Sequence, residues 1–259
     1  MSDILKITLI QTVIVWEDVE KNLSIYTKKI DKIGESTDII VLPEMFATGF
    51  SMNPQKFAEK PDGPIFSWMK KSAAQKSAAV LGSVIVEENN RYYNRLYWVQ
   101  PDGHFEKYDK RHLFSLAGEE KHYTCGMSKL IVNYRDWRIR PLICYDLRFP
   151  VWSRNQNDYD LLIYIANWPE LRNHAWKSLL RARAIENQSY TVGLNRVGKD
   201  GNGVEHSGDS VLLDFNGIGM SELQPFQEIV ATFSISLSKL NENKAKFAFW
   251  QDADNFEIT

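Results

Sequence analysis

Six consecutive apolar residues, Leu161-Leu162-Ile163-Tyr164-Ile165-Ala166, constrain this chain more than any other feature. A strand with one wet face alternates apolar and polar side chains, whereas an unbroken apolar run of this length reads as a strand buried on both faces. Residues 39–42, Ile-Ile-Val-Leu, have the same character and stop abruptly at Pro43-Glu44. Sheets made of such strands need cover on both sides, and helices supply it.

The surrounding pattern fits that requirement. Residues 4–15 read as a strand, and Asp18 then caps a helix in which Val19, Leu23, Tyr26, Ile30 and Ile33 follow the 3.6-residue period, with Gly34 as its stop. A helix over 64 to about 76 and a strand over 79–86 complete a β-α-β-α-β order. Asn89-Asn90 turns the chain into 91–100, and Pro101-Asp102-Gly103 turns it again, so an antiparallel hairpin follows. The second half repeats the logic. Strands are expected at 137–144, 161–166, 190–197, 210–215 and 230–236, with a short helix over 150–155 and a longer one over 174–187. No linker-like composition separates the halves, so residues 1–259 read as a single α/β domain, with an acidic, aromatic arm from about 245 that packs on something.

Composition narrows the function. With 31 basic against 33 acidic side chains the chain has no electrostatic footprint for nucleic acid or an anionic membrane, which points to a small-molecule partner. The first apolar stretch is interrupted by Lys6, Thr8 and Gln11 and does not resemble a signal peptide, and no segment is long enough to span a bilayer. Two cysteines, Cys125 and Cys144, are too few for a disulfide framework, so a cytoplasmic location is expected. Metal-ligand spacings such as Cys-x-x-Cys or His-Glu-x-x-His do not occur, and no metal or cofactor is expected. Gly198, Gly201 and Gly203 lie between strands instead of opening a helix, which makes them a hairpin turn and not a phosphate loop. Ser67 and Lys70 form an isolated Ser-x-x-Lys on a predicted helix with no partnering motif.

Three residues could do chemistry. Cys144 ends an apolar strand and is followed by a polar turn into a helix, a junction that exposes a nucleophile, aims a backbone amide at a developing oxyanion and lowers the thiol pKa. Glu44 stands in the same kind of place, straight after an apolar strand and a proline. Lys110 lies in Tyr108-Asp109-Lys110-Arg111-His112-Leu113-Phe114. Each has a plainer reading as well: an inert buried cysteine, a helix cap, a solvated lysine. Together they supply a nucleophile, a base and a cation, the minimum for acyl transfer through a thioester without histidine.

Leu42-Pro43-Glu44, the Lys110 string and Cys144-Tyr145-Asp146-Leu147-Arg148-Phe149-Pro150 resemble, in order and separation, the three motifs of the nitrilase superfamily of carbon–nitrogen hydrolases. The resemblance continues through Ala166-Asn167-Trp168-Pro169 and residues 181–187, and so covers nearly the whole chain. Within the superfamily, Met45-Phe46-Ala47-Thr48-Gly49-Phe50 and the cysteine string look most like the ω-amidases that hydrolyse 2-oxoglutaramate. The resemblance implies a four-layer α-β-β-α sandwich of two pseudo-symmetric halves, and the strand order read above, with Glu44 and Cys144 at corresponding strand ends, is compatible with it. It also implies a homodimer or larger homo-oligomer.

Mapped by motif, the resemblance makes Cys144 the nucleophile, Glu44 the general base, and Lys110 with the Tyr145 backbone N–H the oxyanion site. It further implies a second glutamate between lysine and cysteine. Glu119, seven residues before Gly126, is the choice, with Glu120 beside it as the rival. Phe46, Tyr145 and Trp168 are candidate pocket walls, or ordinary core aromatics. Arg148 either reads an anionic substrate end or pairs structurally with Asp146 or Glu186. His112 and His122 read as structural and Cys125 as inert. The leading expectation is a thiol amidase for the ω-amide of 2-oxoglutaramate or 2-oxosuccinamate. Nitrile, N-carbamoyl and other small-amide hydrolases of the same superfamily remain open, as does a silent binding module.

Overall fold

The apolar runs become the interior strands of two six-stranded sheets. The structure, a computed structural model, describes residues 3–258. Its first half holds β1 (Ile4–Gln11), α1 (Val19–Asp31), β2 (Ile39–Val41), a short α2 (Pro54–Phe57), α3 (Pro64–Lys76), β3 (Ala79–Glu88), β4 (Arg91–Val99) and β5 (Phe105–Asp109). The second half runs β6 (Val132–Tyr134), β7 (Trp137–Ile143), α4 (Pro150–Ser153), β8 (Leu161–Ala166), α5 (Asn173–Asn187) and β9 (Tyr190–Asn195). A small hairpin, β10 (Val197–Lys199) with β11 (Glu205–Ser207), precedes β12 (Val211–Leu213) and β13 (Gly219–Glu222). Then β14 (Ile229–Ser236) returns to the first sheet and α6 (Leu237–Lys246) follows.

The sheet orders are β14-β1-β2-β3-β4-β5 and β13-β12-β9-β8-β7-β6. In each, three neighbouring strands are parallel, β1-β2-β3 and β7-β8-β9, and antiparallel strands flank them. Laying one order on the other sets β1 on β7, β2 on β8 and β3 on β9, which gives the two pseudo-symmetric halves. Alternate residues of β2 serve different layers: Ile39 and Val41 join the core shared with Ile139 and Ile163, while Ile40 packs with Tyr26 of α1 and Phe66 and Met69 of α3. On the second sheet Trp176, Leu180 and Ala184 of α5 supply the cover. The result is the expected α-β-β-α sandwich, stabilised by about 1.5–3 kcal/mol for each fully buried large apolar side chain.

Several expectations need correction. The first strand ends at Gln11, because that side chain turns inward: its amide donates to the carbonyls of Gln224 and Gln227 and accepts from the Ser210 N–H. Helix α1 starts at the Asp18 cap but stops at Asp31 with Lys32 as its C-terminal cap, so Gly34 lies beyond it. Glu44 and Cys144 do not follow corresponding strands. Glu44 follows β2, whose counterpart is β8 and hence Asn167, whereas Cys144 follows β7, the counterpart of β1. Helix α6 and the short edge strands β5, β6 and β13 went unpredicted. In α6 only Leu240 and Lys244 are buried, with the lysine ammonium 3.3 Å from Asp160, so it has almost no apolar stripe to read. The arm beyond it packs on its own chain: the Gln188 side chain donates to the Phe247 carbonyl and accepts from the Trp250 N–H.

Candidate active site

Pro43 ends the pairing of β2 and the chain bends sharply, with Met45 at φ 43°, its N–H bound by the Ser83 hydroxyl at 2.8 Å. Glu44 is thereby pushed beyond the sheet edge and is fully buried. Its Oε1 accepts from Lys110 Nζ and from Asn94 Nδ2, both at 2.9 Å, and its Oε2 accepts from the Asn167 backbone N–H at 2.9 Å. The Asn167 side chain also donates to the Glu44 carbonyl, so pseudo-equivalent strand ends grip each other across the sandwich.

Lys110 follows β5, which Arg95 holds through a two-point pair with Asp109 at 2.6 and 2.9 Å. The lysine ammonium touches both oxygens of Glu119, at 3.0 and 2.9 Å. Glu119 is fully buried and accepts the Phe114 N–H at 2.6 Å, whereas Glu120 is exposed, so geometry puts the first glutamate in the cluster. Gly126 returns the loop to β5, its N–H on the Lys110 carbonyl at 2.9 Å. A Cβ there would lie 2.1 Å from the Asp109 carbonyl oxygen, so only glycine fits.

Cys144 follows β7 with φ 42°, a left-handed conformation that costs energy in a non-glycine residue and recurs at functional sites. Asp146 holds this turn. Its carboxylate accepts from the Ile143 N–H at 3.1 Å, the Tyr108 hydroxyl at 2.7 Å and the His112 N–H at 3.0 Å, tying the cysteine turn to the Lys110 segment. His112 also sets its ring nitrogen 2.8 Å from Asp146 and stacks on Phe149, so it is part of this scaffold. Cys144 opens a short 3₁₀ turn (Cys144–Arg148), and the Tyr145 N–H lies at its start, where backbone N–H groups have no partner within the turn.

The charges explain the resting state. Burial, the Glu44 charge and a hydrogen bond to Glu44 raise the Cys144 pKa well above its ordinary value, with Lys110 opposing. The expected lowering by a helix start is therefore overturned: desolvation and a neighbouring carboxylate win, and the resting thiol is protonated. Burial lowers the Lys110 pKa, but Glu119, Glu44 and Cys144 more than offset it, so the ammonium stays charged. Burial raises the pKa of Glu119 and Lys110 partly reverses this.

Cys144, Glu44 and Lys110 open onto a cavity of about 260 Å³ that Tyr145, Arg148 and Trp168 also line. That is room for a small substrate. Phe46 is not there. It is buried against Tyr26 and Trp68, with centroids 5.4 and 5.6 Å away, and Phe50 takes the wall position instead. Nor does Arg148 pair with Asp146 or Glu186: Asp146 is occupied as described, Glu186 pairs with Arg183 at 3.0 Å, and Arg148 lies 5.1 Å from the Trp168 ring. Sequence reasoning missed Asn94, Asn167, Phe50, Arg172 and the β10–β11 hairpin, whose Asp200, Asn202, Val204 and His206 also line the cavity. Asn167 and Phe50 carried a signal, as parts of the quoted Ala166-Asn167-Trp168-Pro169 and Met45-Phe46-Ala47-Thr48-Gly49-Phe50 strings.

The carbon-nitrogen hydrolase family profile matches residues 6–245. The chain belongs to the carbon–nitrogen hydrolase family. Among its relatives in this family, omega-amidase YafV of Escherichia coli (strain K12) is 46% identical over 98% of both chains. The 2-oxoglutaramate amidase of Bacillus subtilis (strain 168) is 35% identical, covering 71% of this chain and 73% of its own. A solved carbon–nitrogen hydrolase superfamily protein from Xanthomonas campestris, with an arsenic adduct in its active site, superposes with a TM-score of 0.97, at 41% identity over the whole of both chains. Among the described residues, no helix is long and apolar enough to cross a membrane.

Proposed function

We propose that this chain is an ω-amidase: a thiol enzyme that hydrolyses the terminal amide of small 2-oxo dicarboxylic monoamides, such as 2-oxoglutaramate and 2-oxosuccinamate, to the dicarboxylate and ammonia. The observation that carries the reading is the buried Glu44–Lys110–Glu119 array set beside Cys144 in a cavity that Arg148 and Arg172 also line. The near full-length likeness to omega-amidase YafV supports the same substrate class.

The chemistry follows from the groups. Cys144 Sγ attacks the amide carbonyl as Glu44 takes the thiol proton, because a thiol held protonated at rest needs a base at the moment of attack. The carbonyl oxygen becomes an oxyanion between the Lys110 ammonium and the Tyr145 N–H, donors already in place before the reaction. Glu44 gives its proton to the leaving nitrogen, the C–N bond breaks, and ammonia departs from an acyl thioester. The same carboxylate then takes a proton from water, whose oxygen attacks the thioester and returns the free thiol and the acid. Glu119 holds Lys110 against Glu44 throughout, while Arg148 lines the cavity on the substrate's side and Tyr145 and Trp168 wall its path.

In this reading the chain acts as one carbon–nitrogen hydrolase domain with a C-terminal arm from about 245. It pairs with a second copy and works in the cytoplasm without a cofactor. Ammonia release from 2-oxoglutaramate, glutamine, asparagine, a simple nitrile and an N-carbamoyl amino acid, with wild type and Cys144→Ala, tests the assignment. Fast turnover of the oxo-amide alone, lost in the variant, is expected. Preference for the nitrile or the carbamoyl compound would move the chain to another branch of the superfamily.

A further inference from the structure

Guanidinium groups in this fold are almost all engaged. Arg95, Arg135, Arg138, Arg181 and Arg183 meet carboxylates, while Arg111, Arg140, Arg154 and Arg196 meet backbone carbonyls. Among the described residues, Arg91, Arg148 and Arg172 have neither kind of partner, and of these Arg148 and Arg172 line the cavity that holds Cys144. Each lies beside an aromatic ring: Arg148 is 5.1 Å from the centroid of Trp168, and Arg172 is 5.1 Å from that of Phe114. The cavity's carboxylates are Glu44, held by Lys110, and Asp200, which accepts the Asn202 and Val204 N–H groups of its own turn. The two cations line one cavity, Arg172 half-buried and Arg148 exposed, and their mutual repulsion is relieved when an anion arrives.

Arg172 is also the better anchored. It ends a 3₁₀ turn (Glu170–Arg172) between β8 and α5, its N–H on the Pro169 carbonyl at 3.0 Å and its own carbonyl bound by the Trp168 indole at 2.9 Å. Trp168 thus braces both arginines, under the guanidinium of one and against the backbone of the other. Phe114, beside the Arg172 guanidinium, donates its backbone N–H to Glu119 and so links this end of the cavity to the lysine cluster.

We propose that Arg172 is the specificity-determining residue for the anionic end of the substrate, taking the distal carboxylate in a two-point pair while Arg148 binds the adjoining 2-oxo oxygen. This rests on the ω-amidase reading. A planar guanidinium matches a carboxylate in two parallel N–H···O bonds, and a neutral amide of the same length cannot repay the cost of the two unpartnered cations. The cavity therefore selects 2-oxo acid monoamides over uncharged amides, although the groups around Cys144 would act on either.

The test reads binding without turnover. Alkylation of Cys144 by iodoacetamide is followed by peptide mass spectrometry while 2-oxoglutarate, the dicarboxylate product, protects it in wild type, Arg172→Gln and Arg172→Lys. Half-protection is expected to need about 100-fold more 2-oxoglutarate in Arg172→Gln and about tenfold more in Arg172→Lys, which keeps the charge but not the fork. In turnover, KM for 2-oxoglutaramate rises more than kcat falls, and the preference over pentanamide drops in parallel. Half-protection within threefold of wild type in both variants, or no protection of the wild type, overturns the assignment. If thermal melting shows Arg172→Gln misfolded, the lysine variant decides alone. Failure of the ω-amidase reading shows separately, as wild type that releases no ammonia from 2-oxoglutaramate.

Discussion

Replacing Glu119 with glutamine should slow turnover while speeding alkylation of the nucleophile. Glu119 accepts from Lys110 at 2.9 and 3.0 Å and from the Phe114 N–H at 2.6 Å, so both its oxygens face donors. In Glu119→Gln one of those oxygens becomes an NH₂ group, which must meet either the ammonium or the backbone N–H donor to donor. A hydrogen bond to a charged group contributes about 1.5–3 kcal/mol, so a mispositioned Lys110 lowers kcat/KM by about 10- to 150-fold. The Glu119 charge is also one of the influences that raise the Cys144 pKa, after burial and Glu44. Its removal lets the thiol ionise more easily, and iodoacetamide should label Cys144 faster at pH 7. Ammonia release and labelling rate are measured on the same preparation, with thermal melting to show that the variant is folded. Turnover within threefold of wild type, or labelling and turnover that fall together, would refute the reasoning.

Other perturbations follow from the same geometry. Phe46→Ala removes a buried ring packed on Tyr26 and Trp68 and should cost about 3–5 kcal/mol in chemical denaturation, with KM of the folded enzyme close to wild type, whereas Phe50→Ala should raise KM. Gly126→Ala sets a methyl 2.1 Å from the Asp109 carbonyl oxygen, so the strand carrying Lys110 must shift; stability should fall by about 1–3 kcal/mol and ammonia release with it. Burial and then Arg196 lower the His206 pKa from 6.5 to about 4, so on acidification the unfolded chain takes up a proton that the folded chain refuses. Its contribution is present above pH 6.5 and lost as pH falls toward 4, amounting to about 3 kcal/mol, and His206→Asn should flatten that part of the stability curve.

Layer architecture was legible because it rests on burial. The unbroken apolar run of β8 and the 3.6-residue pattern of α1 each name the surface they need. Elements that carry little apolar area were silent: α6 buries only Leu240 and Lys244, and β13 is mostly exposed. In the site, Glu44 and Cys144 were legible because each follows an apolar strand, whereas Lys110, flanked by charges like a solvated lysine, was legible only through the motif in which it stands. Asn94 was not, since a polar residue inside an aromatic strand looks like one more solvent-facing position until the loops carrying Glu44 and Glu119 close over it. Arg172 was masked by its neighbours, Glu170 and the exposed Leu171, which make the segment read as a solvated turn. Phe46 misled for the opposite reason, because adjacency to the Glu44 motif says nothing about which way a side chain turns after a left-handed residue such as Met45.

The account stands on a covalent acyl intermediate at Cys144. Wild-type enzyme mixed with 2-oxoglutaramate, quenched in acid within the first turnover and weighed intact, should carry an addition equal to the substrate less ammonia. Peptide mapping should place it on Cys144, and Cys144→Ser should carry none. Ammonia release at the wild-type rate with no such adduct, or from Cys144→Ala, would contradict the mechanism at its first step.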